Sequence, residues 1–386
     1  MATTQTAVDG GLLITTDPRL PIVTLGGTAR ERGAQYGEQV ADRVRRTRDA
    51  YAEVYAHFAR WDWDRAREEA EAFVDPIRRF HPASVEEMAG IAEGAGLDFA
   101  DVLAMNLRTE ILFAAKVRGA GAHLPPILEC TSFAARTVDG EQLIGQTWDW
   151  LTFSADTIVL VEAEPDEGPS FMTVVEAGLL AKFGMNSSGL ALATNALVCS
   201  ADAGQPGVPY HVMLRALLDC RTAAEAATLL QASRRSSSAN YLFGTGEGLV
   251  ANAETRPGGY AEVVWGVPDD DGLLLHANHF SQAPAGTVED AGAMLMADSL
   301  FRLQRVRRLA RETPHAGVEG WKRILADHAG SPAGICCHPD RGMHALDQWT
   351  TAVGVIFEPA RRRAHVSVGN PCEGTWLTRD YAHAWA

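Results

Sequence analysis

The amino-acid sequence predicts an α+β fold in which antiparallel β-sheets lie between outer layers of helices. Three observations support this prediction. Apolar residues recur at three- and four-residue spacing through most of residues 28–110, which indicates helices. Short apolar or alternating segments bounded by turn residues dominate from Cys130 onwards, which indicates strands. Strand runs and helix runs are grouped along the chain, a pattern typical of antiparallel sheets with segregated helices.

The first third of the chain is predicted to be mostly helical. Asp62 and Ser84 stand where helices should begin, and Pro76 is expected to break a helix. The predicted helices cover residues 29–47, 48–58, 63–74 and 85–94.

The character of the sequence changes after His123-Leu124-Pro125-Pro126. Strands are predicted at residues 131–135, 142–146, 157–164, 171–176, 183–185, 190–195, 240–244, 250–255, 260–265 and 273–276. Helices are predicted at residues 212–218, 223–232 and 298–311. A final strand pair is predicted at 352–358 and 363–368, joined by a turn at 359–361.

Composition excludes several classes of function. The chain has 386 residues, 46% of them hydrophobic and 22% charged, so it can bury a sizeable core. Its formal charge of −15 argues against nucleic acid or an anionic membrane surface as a partner. Neither a signal-peptide pattern nor an apolar run of membrane-spanning length is evident. We therefore predict a cytoplasmic protein with no membrane partner.

The six cysteines do not form a disulfide framework, because none belongs to a C-x-x-C pair and the chain is long. Five of them are interpreted as small buried hydrophobic residues. These five are Cys199, Cys220, Cys336, Cys337 and Cys372.

Cys130 is the exception because of its surroundings. It lies in Leu-Glu-Cys-Thr-Ser-Phe, where a loop becomes a strand, and Asp149 follows 19 residues later in Gly-Gln-Thr-Trp-Asp-Trp. Two strands of one hairpin would place Cys130 and Asp149 near the same end. Taken alone, this spacing is a weak signal.

Several segments that match in order make a stronger signal. They occupy residues 32–37 (Arg-Gly-Ala-Gln-Tyr-Gly), 87–96, 106–110, 129–133, 145–150, 184–190 with Asn195, 276–279, 335–339 and 369–371. Through them the chain resembles the acyl-coenzyme A:6-aminopenicillanic acid (isopenicillin N) acyltransferase family. This is the peptidase C45-like cysteine branch of the N-terminal-nucleophile hydrolases. The branch includes β-alanyl amine hydrolases and is related to bile-salt and penicillin V amidases.

The resemblance implies a four-layer αββα fold and a self-processing precursor. The scissile bond would be Glu129-Cys130, which gives fragments 1–129 and 130–386 that remain associated as one αββα unit. Relatives often carry glycine before the cysteine, so Glu129 departs from the family pattern. No cofactor is expected. The partners implied are a small N-acyl substrate and an amine or water acceptor, with an acyl-coenzyme A thioester as an alternative acyl donor.

An N-terminal cysteine carries both a nucleophile and a base. Its α-amine has a reference pKa of about 7.7 to 8.0, so it can accept the thiol proton near neutrality. The thiolate then attacks an acyl carbonyl to form a thioester, which an amine or water resolves.

The resemblance also implies roles for other residues. Asp149 would hold the α-amine, and Asn195 would donate its side-chain amide to the oxyanion together with a backbone N–H. Asn278 would orient the amine or complete the oxyanion site; the alternative is an ordinary turn asparagine. Thr131, Trp148 and Trp150 are predicted to bind substrate, although tryptophans in strands are more often core residues.

The family's charged groups are only partly matched. Relatives tend to carry an arginine where Cys337 stands. The positive charge of that arginine is therefore either absent from this chain or supplied by Arg341. The cluster of arginines between residues 302 and 311 is interpreted as a solvated helix face, with coenzyme A phosphate contact as an alternative. His276 and His279 are three apart and would face opposite sides of a strand, so no metal site is predicted.

Two further functions remain open at the level of sequence. One is a hydrolase that removes a β-alanyl or similar group from an amine, a cationic product that suits the negative charge of the chain. The other is a binding protein that keeps the fold without cleaving itself.

Overall fold

The computed structural model describes residues 5–9, 12–117, 129–282 and 289–385. The predicted change at His123–Pro126 therefore lies outside the described residues. The helices are α1 (Ala29–Gln39), α2 (Ala41–Val54), α3 (Trp63–Glu71), α4 (Val74–Phe80), α5 (Pro82–Ala95), α6 (Phe99–Asn106), α7 (Arg108–Val117), α8 (Tyr210–Leu218), α9 (Ala223–Ala232), α10 (Gly292–Leu295), α11 (Asp298–Glu312) and α12 (Val318–Leu325).

The strands begin before the helices and continue to the end of the chain. They are β1 (Gln5–Asp9), β2 (Leu12–Thr16), β3 (Ile22–Gly27), β4 (Glu129–Arg136), β5 (Gln142–Leu151), β6 (Ile158–Pro165), β7 (Phe171–Glu176), β8 (Phe183–Asn186), β9 (Leu190–Ala196), β10 (Ala239–Thr245), β11 (Val250–Thr255), β12 (Val263–Gly266), β13 (Leu274–His276), β14 (Trp349–Glu358), β15 (Arg363–Ser367) and β16 (Trp376–Asp380).

Two large sheets form the centre of the molecule. One has the strand order β12-β11-β10-β9-β8-β7-β6-β3 and the other β13-β4-β5-β14-β15-β16, while β1 and β2 form a separate ribbon. Their neighbouring strands are antiparallel with one exception, the parallel pair β3 and β6 at the edge of the larger sheet. The antiparallel prediction therefore holds except at that edge.

The two sheets pack face to face, since β4 and β5 contact β9 and β10. Helices α1 and α8 contact the outer side of the larger sheet, and α11 and α12 contact the smaller one. The described strands between these helices are rich in buried residues, and every residue of β5 and β14 is buried. The architecture is thus the predicted α+β, four-layer αββα arrangement.

Glycines in two of the matching sequence segments explain how α1 and α5 pack. A Cβ added at Gly33 would lie 2.1 Å from the carbonyl oxygen of Glu87, and one at Gly94 would lie 2.1 Å from that of Ala34. Gly37 and Gly90 are equally close to the facing backbone. These positions therefore need glycine because the two helix backbones touch.

Several predictions of individual elements in the N-terminal third were wrong. Pro76 does not end a helix; it lies in the first turn of α4, where its missing N–H would have no helical partner anyway. Helix α5 begins at Pro82 rather than after Ser84. The predicted helix over 29–47 is divided at Val40, and strands β1 to β3 were not predicted.

The second half of the chain required fewer corrections. The predicted strand at 260–265 begins as a short 3-10 turn, Tyr260–Glu262, before β12. The final strand is β16, which was not predicted, and neither was α12. Cys372 is exposed, so its interpretation as a buried hydrophobic residue is wrong, whereas the other five cysteines are buried.

Among the described residues, every helix falls short of the length and apolarity that a membrane span requires. The cytoplasmic location stays a prediction.

Candidate active site

The β4–β5 hairpin brings the predicted nucleophile and the predicted aspartate together. Glu129 pairs with Asp149 and Cys130 pairs with Trp148 across the two strands. The prediction that one hairpin places Cys130 and Asp149 at the same end is confirmed. The backbone of Asp149 therefore lies opposite Glu129, at the Glu129-Cys130 bond.

Both backbone groups of Cys130 are held by side chains from other elements. Its N–H donates to Oδ1 of Asn278 at 2.7 Å. Its carbonyl oxygen accepts from Nδ2 of Asn195 at 3.1 Å and from Nη1 of Arg302 at 2.9 Å. The residue is completely buried, so these contacts fix its main chain in a water-poor environment.

The orientation of the Asn195 amide is set by a row of side chains across the larger sheet. Its Oδ1 accepts from the Ser132 hydroxyl at 2.6 Å and from the Asn240 amide at 3.0 Å. The Asn240 oxygen in turn accepts from Asn252 at 2.7 Å. With its oxygen occupied twice, Asn195 presents only its NH₂ group to Cys130. This NH₂ group donates to the carbonyl of Cys130 itself.

Asn278 is fully buried and bridges three parts of the site. In addition to Cys130, its Oδ1 accepts from Nη2 of Arg302 at 3.1 Å. Its Nδ2 donates to the Ala196 carbonyl at 3.1 Å, and its backbone N–H donates to the Ser299 hydroxyl at 2.7 Å. An ordinary turn asparagine would not need these contacts; the arrangement suits a group that orients the amine of Cys130.

Arg302 was missed by the sequence analysis, which assigned it to a solvated helix face. It is only 2% exposed and donates to Cys130, Asn278 and Thr131. The pattern of α11 contained the signal, because Ser299, Leu303, Val306 and Ala310 mark the buried face and Arg302 lies on it. The prediction holds for the exposed Arg307, Arg308 and Arg311.

The positive charge beside Cys130 therefore comes from Arg302 on α11 and not from a residue of the segment around Cys337. Arg341, the predicted replacement for the family arginine, is exposed. Cys337 instead positions Thr351: its N–H donates to the Thr351 hydroxyl at 2.8 Å, and its carbonyl accepts from the Thr351 N–H at 3.0 Å. The Thr351 hydroxyl donates to Oδ1 of Asp149. The segment thus orients the carboxylate through Thr351.

The three predicted substrate-binding residues occupy different environments. Thr131 accepts from Arg302 at 3.2 Å through its hydroxyl. Trp148 lies directly across from Cys130, with its ring edge-on to Phe183. Trp150 donates from Nε1 to the Tyr51 hydroxyl at 2.9 Å. Trp148 borders the nucleophile, whereas Thr131 and Trp150 are engaged in internal contacts.

Lys182 is a second cation that the sequence analysis missed. Its side chain is fully buried, and Nζ lies 4.6 Å from the centroid of the Trp148 ring and 5.4 Å from that of Tyr210. Within the described part of the chain, Nζ has no hydrogen-bond partner. Burial lowers the pKa of Lys182 to about 8. A lysine inside the apolar run at residues 179–183 was the available signal.

The thiol of Cys130 is held in its neutral form. Burial raises its pKa to about 11. The positive charge of Lys182 opposes this, the Asp149 carboxylate adds to it, and Arg302 and the Asp149 backbone N–H oppose it. Desolvation therefore outweighs the nearby positive charges.

The two histidines of the 276–279 segment have separate partners. Nε2 of His276 lies 2.8 Å from the Glu254 carboxylate, and Nδ1 of His279 lies 2.7 Å from the Ser299 hydroxyl. Their contacts support the walls of the site around Asn278. What surrounds Cys130 is thus a set of amides and cations, suited to hold a peptide bond and to stabilise negative charge on an acyl oxygen.

Comparison with known proteins identifies the family. Residues 136–373 match the family model described as acyl-coenzyme A:6-aminopenicillanic acid acyl-transferase, which is well over half of the chain. The chain belongs to this family. Its family is thus one described as acyltransferases. The matched region begins just after Cys130.

One relative in sequence and two solved structures are similar to parts of the chain. The chain is 25% identical over 297 residues to the 40 kDa form of acyl-coenzyme A:6-aminopenicillanic-acid-acyltransferase from Emericella nidulans, covering 75% of this chain and 76% of that one. Among solved structures, a mutant conjugated bile acid hydrolase from Clostridium perfringens is similar with a TM-score of 0.44, 12% identity and coverage of 65% and 92%. Penicillin V acylase from Agrobacterium tumefaciens has a TM-score of 0.36, 13% identity and coverage of 62% and 82%.

Proposed function

We propose that this chain is a self-processing enzyme that cleaves the Glu129-Cys130 bond and then uses Cys130 to transfer or hydrolyse the acyl group of a small N-acyl amide. The observation that carries the proposal is the arrangement at Cys130. One residue at a hairpin end has its N–H bound by Asn278 and its carbonyl bound by Asn195 and Arg302. A purely structural cysteine needs none of these contacts.

Self-cleavage follows from simple acyl chemistry. The Cys130 thiol loses its proton as Sγ attacks the Glu129 carbonyl carbon, the C–N bond breaks, and the nitrogen of Cys130 takes up that proton to become the α-amine. Glu129 is then held as a thioester on Sγ. Water hydrolyses this thioester to give the Glu129 carboxylate and the free thiol. Asn278 supports the step by accepting from the nitrogen that leaves.

Turnover repeats the chemistry with a substrate. The new α-amine takes the proton of the thiol, and the thiolate attacks the acyl carbonyl. The C–N bond of the substrate breaks, and the α-ammonium returns its proton to the departing amine. Water resolves the resulting thioester to an acid, or a second amine resolves it to a new amide. With an acyl-coenzyme A donor, the departing group is the coenzyme A thiol.

Roles for the surrounding groups follow from their positions. After cleavage, the Asn278 oxygen and the Asp149 carboxylate are the acceptors beside the α-amine. The Asn195 amide and Arg302 are the donors for an oxyanion. Lys182, whose Nζ lies 4.6 Å from the centroid of the Trp148 ring, favours the thiolate by its charge.

Denaturing mass spectrometry of the purified protein tests self-cleavage. We expect two chains, ending at Glu129 and beginning at Cys130, and a single chain for Cys130→Ala. Cys199→Ser is the matched control, since Cys199 is also buried but lies outside this site, and it should be cleaved like the wild type. An intact wild-type chain with an unreactive Cys130 would leave a binding protein as the better explanation.

A substrate panel separates transfer from hydrolysis. The processed enzyme is incubated with N-acyl amines including β-alanyl amines, N-acyl amino acids and β-lactams, with and without a second amine as the acyl acceptor. Amine release in water alone indicates a hydrolase, whereas a product seen only with the acceptor indicates a transferase. Release confined to β-alanyl amines would favour the β-alanyl hydrolase. A covalent acyl group on Cys130 is expected in the first two cases.

A further inference from the structure

Four side chains of the types that bind metal ions lie close together outside the candidate active site, on both sides of Cys337 in sequence and beyond it. They are His328, Cys336, His338 and Cys372, and their ligand atoms all lie within 4.8 Å of one another. Nε2 of His338 is 3.1 Å from Nε2 of His328, 3.4 Å from Sγ of Cys372 and 3.7 Å from Sγ of Cys336. All four atoms therefore point at one small volume.

These distances match the edges of a zinc-centred tetrahedron. Zinc lies about 2.3 Å from cysteine sulfur and about 2.0 to 2.1 Å from histidine nitrogen, so nitrogen–nitrogen edges are about 3.3 Å and nitrogen–sulfur edges about 3.6 Å. The three spacings from Nε2 of His338 differ from these values by about 0.2 Å or less, and the other three are at most 4.8 Å. Two thiols and two imidazoles are also a frequent ligand set of structural zinc.

A neighbouring side chain makes the kind of contact to the cluster that supports a metal site. Nδ2 of Asn370 lies 3.7 Å from Sγ of Cys336 and donates to the Cys337 carbonyl at 2.9 Å. An N–H donor at a ligating sulfur is the kind of outer contact that tunes a thiolate ligand. The cluster extends from the buried Cys336 to the exposed His328, so an ion from solution can reach it.

We propose that His328, Cys336, His338 and Cys372 form a closed structural zinc site. Four protein ligands leave no open position, so the ion does not itself act on substrate. It joins the segment after α12, which carries three of the ligands, to the short turn Pro371–Glu373 after β15. The two thiols lose their protons on binding, and both imidazoles bind as neutral rings.

The site has a consequence for the candidate active site. Cys337 lies between two of the ligands, and its backbone positions Thr351, whose hydroxyl donates to Asp149. A metal that holds Cys336 and His338 thereby fixes the carboxylate beside Cys130. Cys336 and His338 act as positioning residues in this respect, because they reach Asp149 only through Cys337 and Thr351.

Metal analysis of the full chain tests the proposal. The protein is produced in zinc-supplemented medium without a metal-affinity step, dialysed, and analysed by plasma mass spectrometry. We expect about one zinc per chain. Cys372→Ser and His328→Asn should each lose most of it. The controls Cys199→Ser and His315→Asn remove a buried cysteine and an exposed histidine outside the cluster, and should keep it.

Cobalt substitution tests the geometry independently of activity. Cobalt added to the apoprotein should give the visible bands of tetrahedral coordination and a thiolate charge-transfer band that Cys372→Ser weakens. Wild-type zinc no higher than in a Cys336→Ser/Cys372→Ser variant would overturn the proposal. So would a Cys336–Cys372 disulfide, recognised by the loss of two hydrogens in the intact mass. Repeating the analysis in Cys130→Ala keeps this result separate from self-cleavage.

Discussion

At the scale of single residues, buried charge governs the candidate nucleophile. Arg302 and Lys182 place two cations near Cys130, yet burial raises the pKa of its thiol to about 11. A thiol in this state reacts slowly with acyl groups. Under the proposed self-cleavage, the new α-amine would have a pKa near neutrality and could accept the thiol proton.

Arg302 is expected to matter for self-cleavage because it contacts Cys130, Thr131 and Asn278. Arg302→Met should slow cleavage by on the order of 100-fold, because the Cys130 backbone and the Asn278 side chain lose a contact that positions them. Arg302→Lys should restore part of the rate. The measurement is the intact-chain fraction against time after cell-free synthesis. Arg308→Met, on the exposed side of the same helix, should cleave normally; equal rates for both methionine variants would refute this role.

Lys182 makes stability depend on pH. Its pKa falls from 10.5 in the unfolded chain to about 8 in the folded one, so the unfolded state binds more protons between these values. Burial of the charged Lys182 therefore lowers the free energy of unfolding by its full amount below pH 8. This loss of stability disappears as the pH rises to 10.5.

Lys182→Met should consequently stabilise the protein most at neutral pH. In the uncleaved Cys130→Ala background, its gain in unfolding free energy should be larger at pH 7 than at pH 10.5 by about 3 kcal/mol, at about 1.4 kcal/mol per pKa unit. Urea unfolding at several pH values measures this. Lys116→Met, at an exposed lysine, should show no such trend. A gain that does not change with pH would mean that Lys182 is neutral throughout.

At the scale of elements, the α1–α5 contact explains why two family segments are rich in glycine. Their shared function is close packing, since the added Cβ atoms would lie within 2.3 Å of facing carbonyl oxygens. This contact holds the helical layer against β3 and the larger sheet. The glycines of these two segments therefore indicate the fold of the family rather than its catalytic chemistry.

Gly33→Ala should destabilise the protein despite the better helix propensity of alanine. Propensity favours alanine by about 0.5 to 1 kcal/mol, whereas overpacking of this kind costs about 1 to 3 kcal/mol or more. We expect a net loss of about 1 to 2 kcal/mol in urea unfolding. Gly317→Ala, where a Cβ meets nothing within 4 Å, should change the free energy by less than about 0.5 kcal/mol. Similar values for both variants would contradict this account.

At the scale of the whole molecule, the proposed cut separates residues that are thoroughly interlocked. Strand β3 lies before the cut and pairs with β6 after it. The buried ion pairs Arg108–Glu176 (3.3 Å) and Glu87–Arg215 (3.1 Å) also join the two sides. Removing one partner of such a pair typically costs about 3 to 5 kcal/mol.

The two fragments should therefore remain associated after cleavage. Native mass spectrometry should show one heterodimer with the mass of the uncleaved chain plus one water, and size exclusion should show no free fragment until denaturant is added. Cys130→Ala, which stays a single chain, gives the reference elution volume. Separate fragments in native buffer would show that the sheet and ion-pair contacts are insufficient to hold them.

Much of the architecture was predictable because it depends on local periodicity. The segments that form β7, β11 and α9 were predicted to the residue, since apolar period and turn residues mark their ends. The N-terminal strands were missed because edge strands and ribbons carry weak patterns. The hairpin of Cys130 and Asp149 was also predictable, since both residues lie on strands that adjoin in sequence.

The sequence by itself determined the α+β class and the family. It also marked Cys130, Asp149, Asn195 and Asn278 as candidate site residues. Both were possible because motifs and periodicity are local. Only the tertiary structure decided which charges meet them. Arg302 lies 172 residues from Cys130, and Cys372 lies 34 residues from His338. Such groups come together through sheet packing, and their ionisation depends on burial, which no short stretch of sequence specifies.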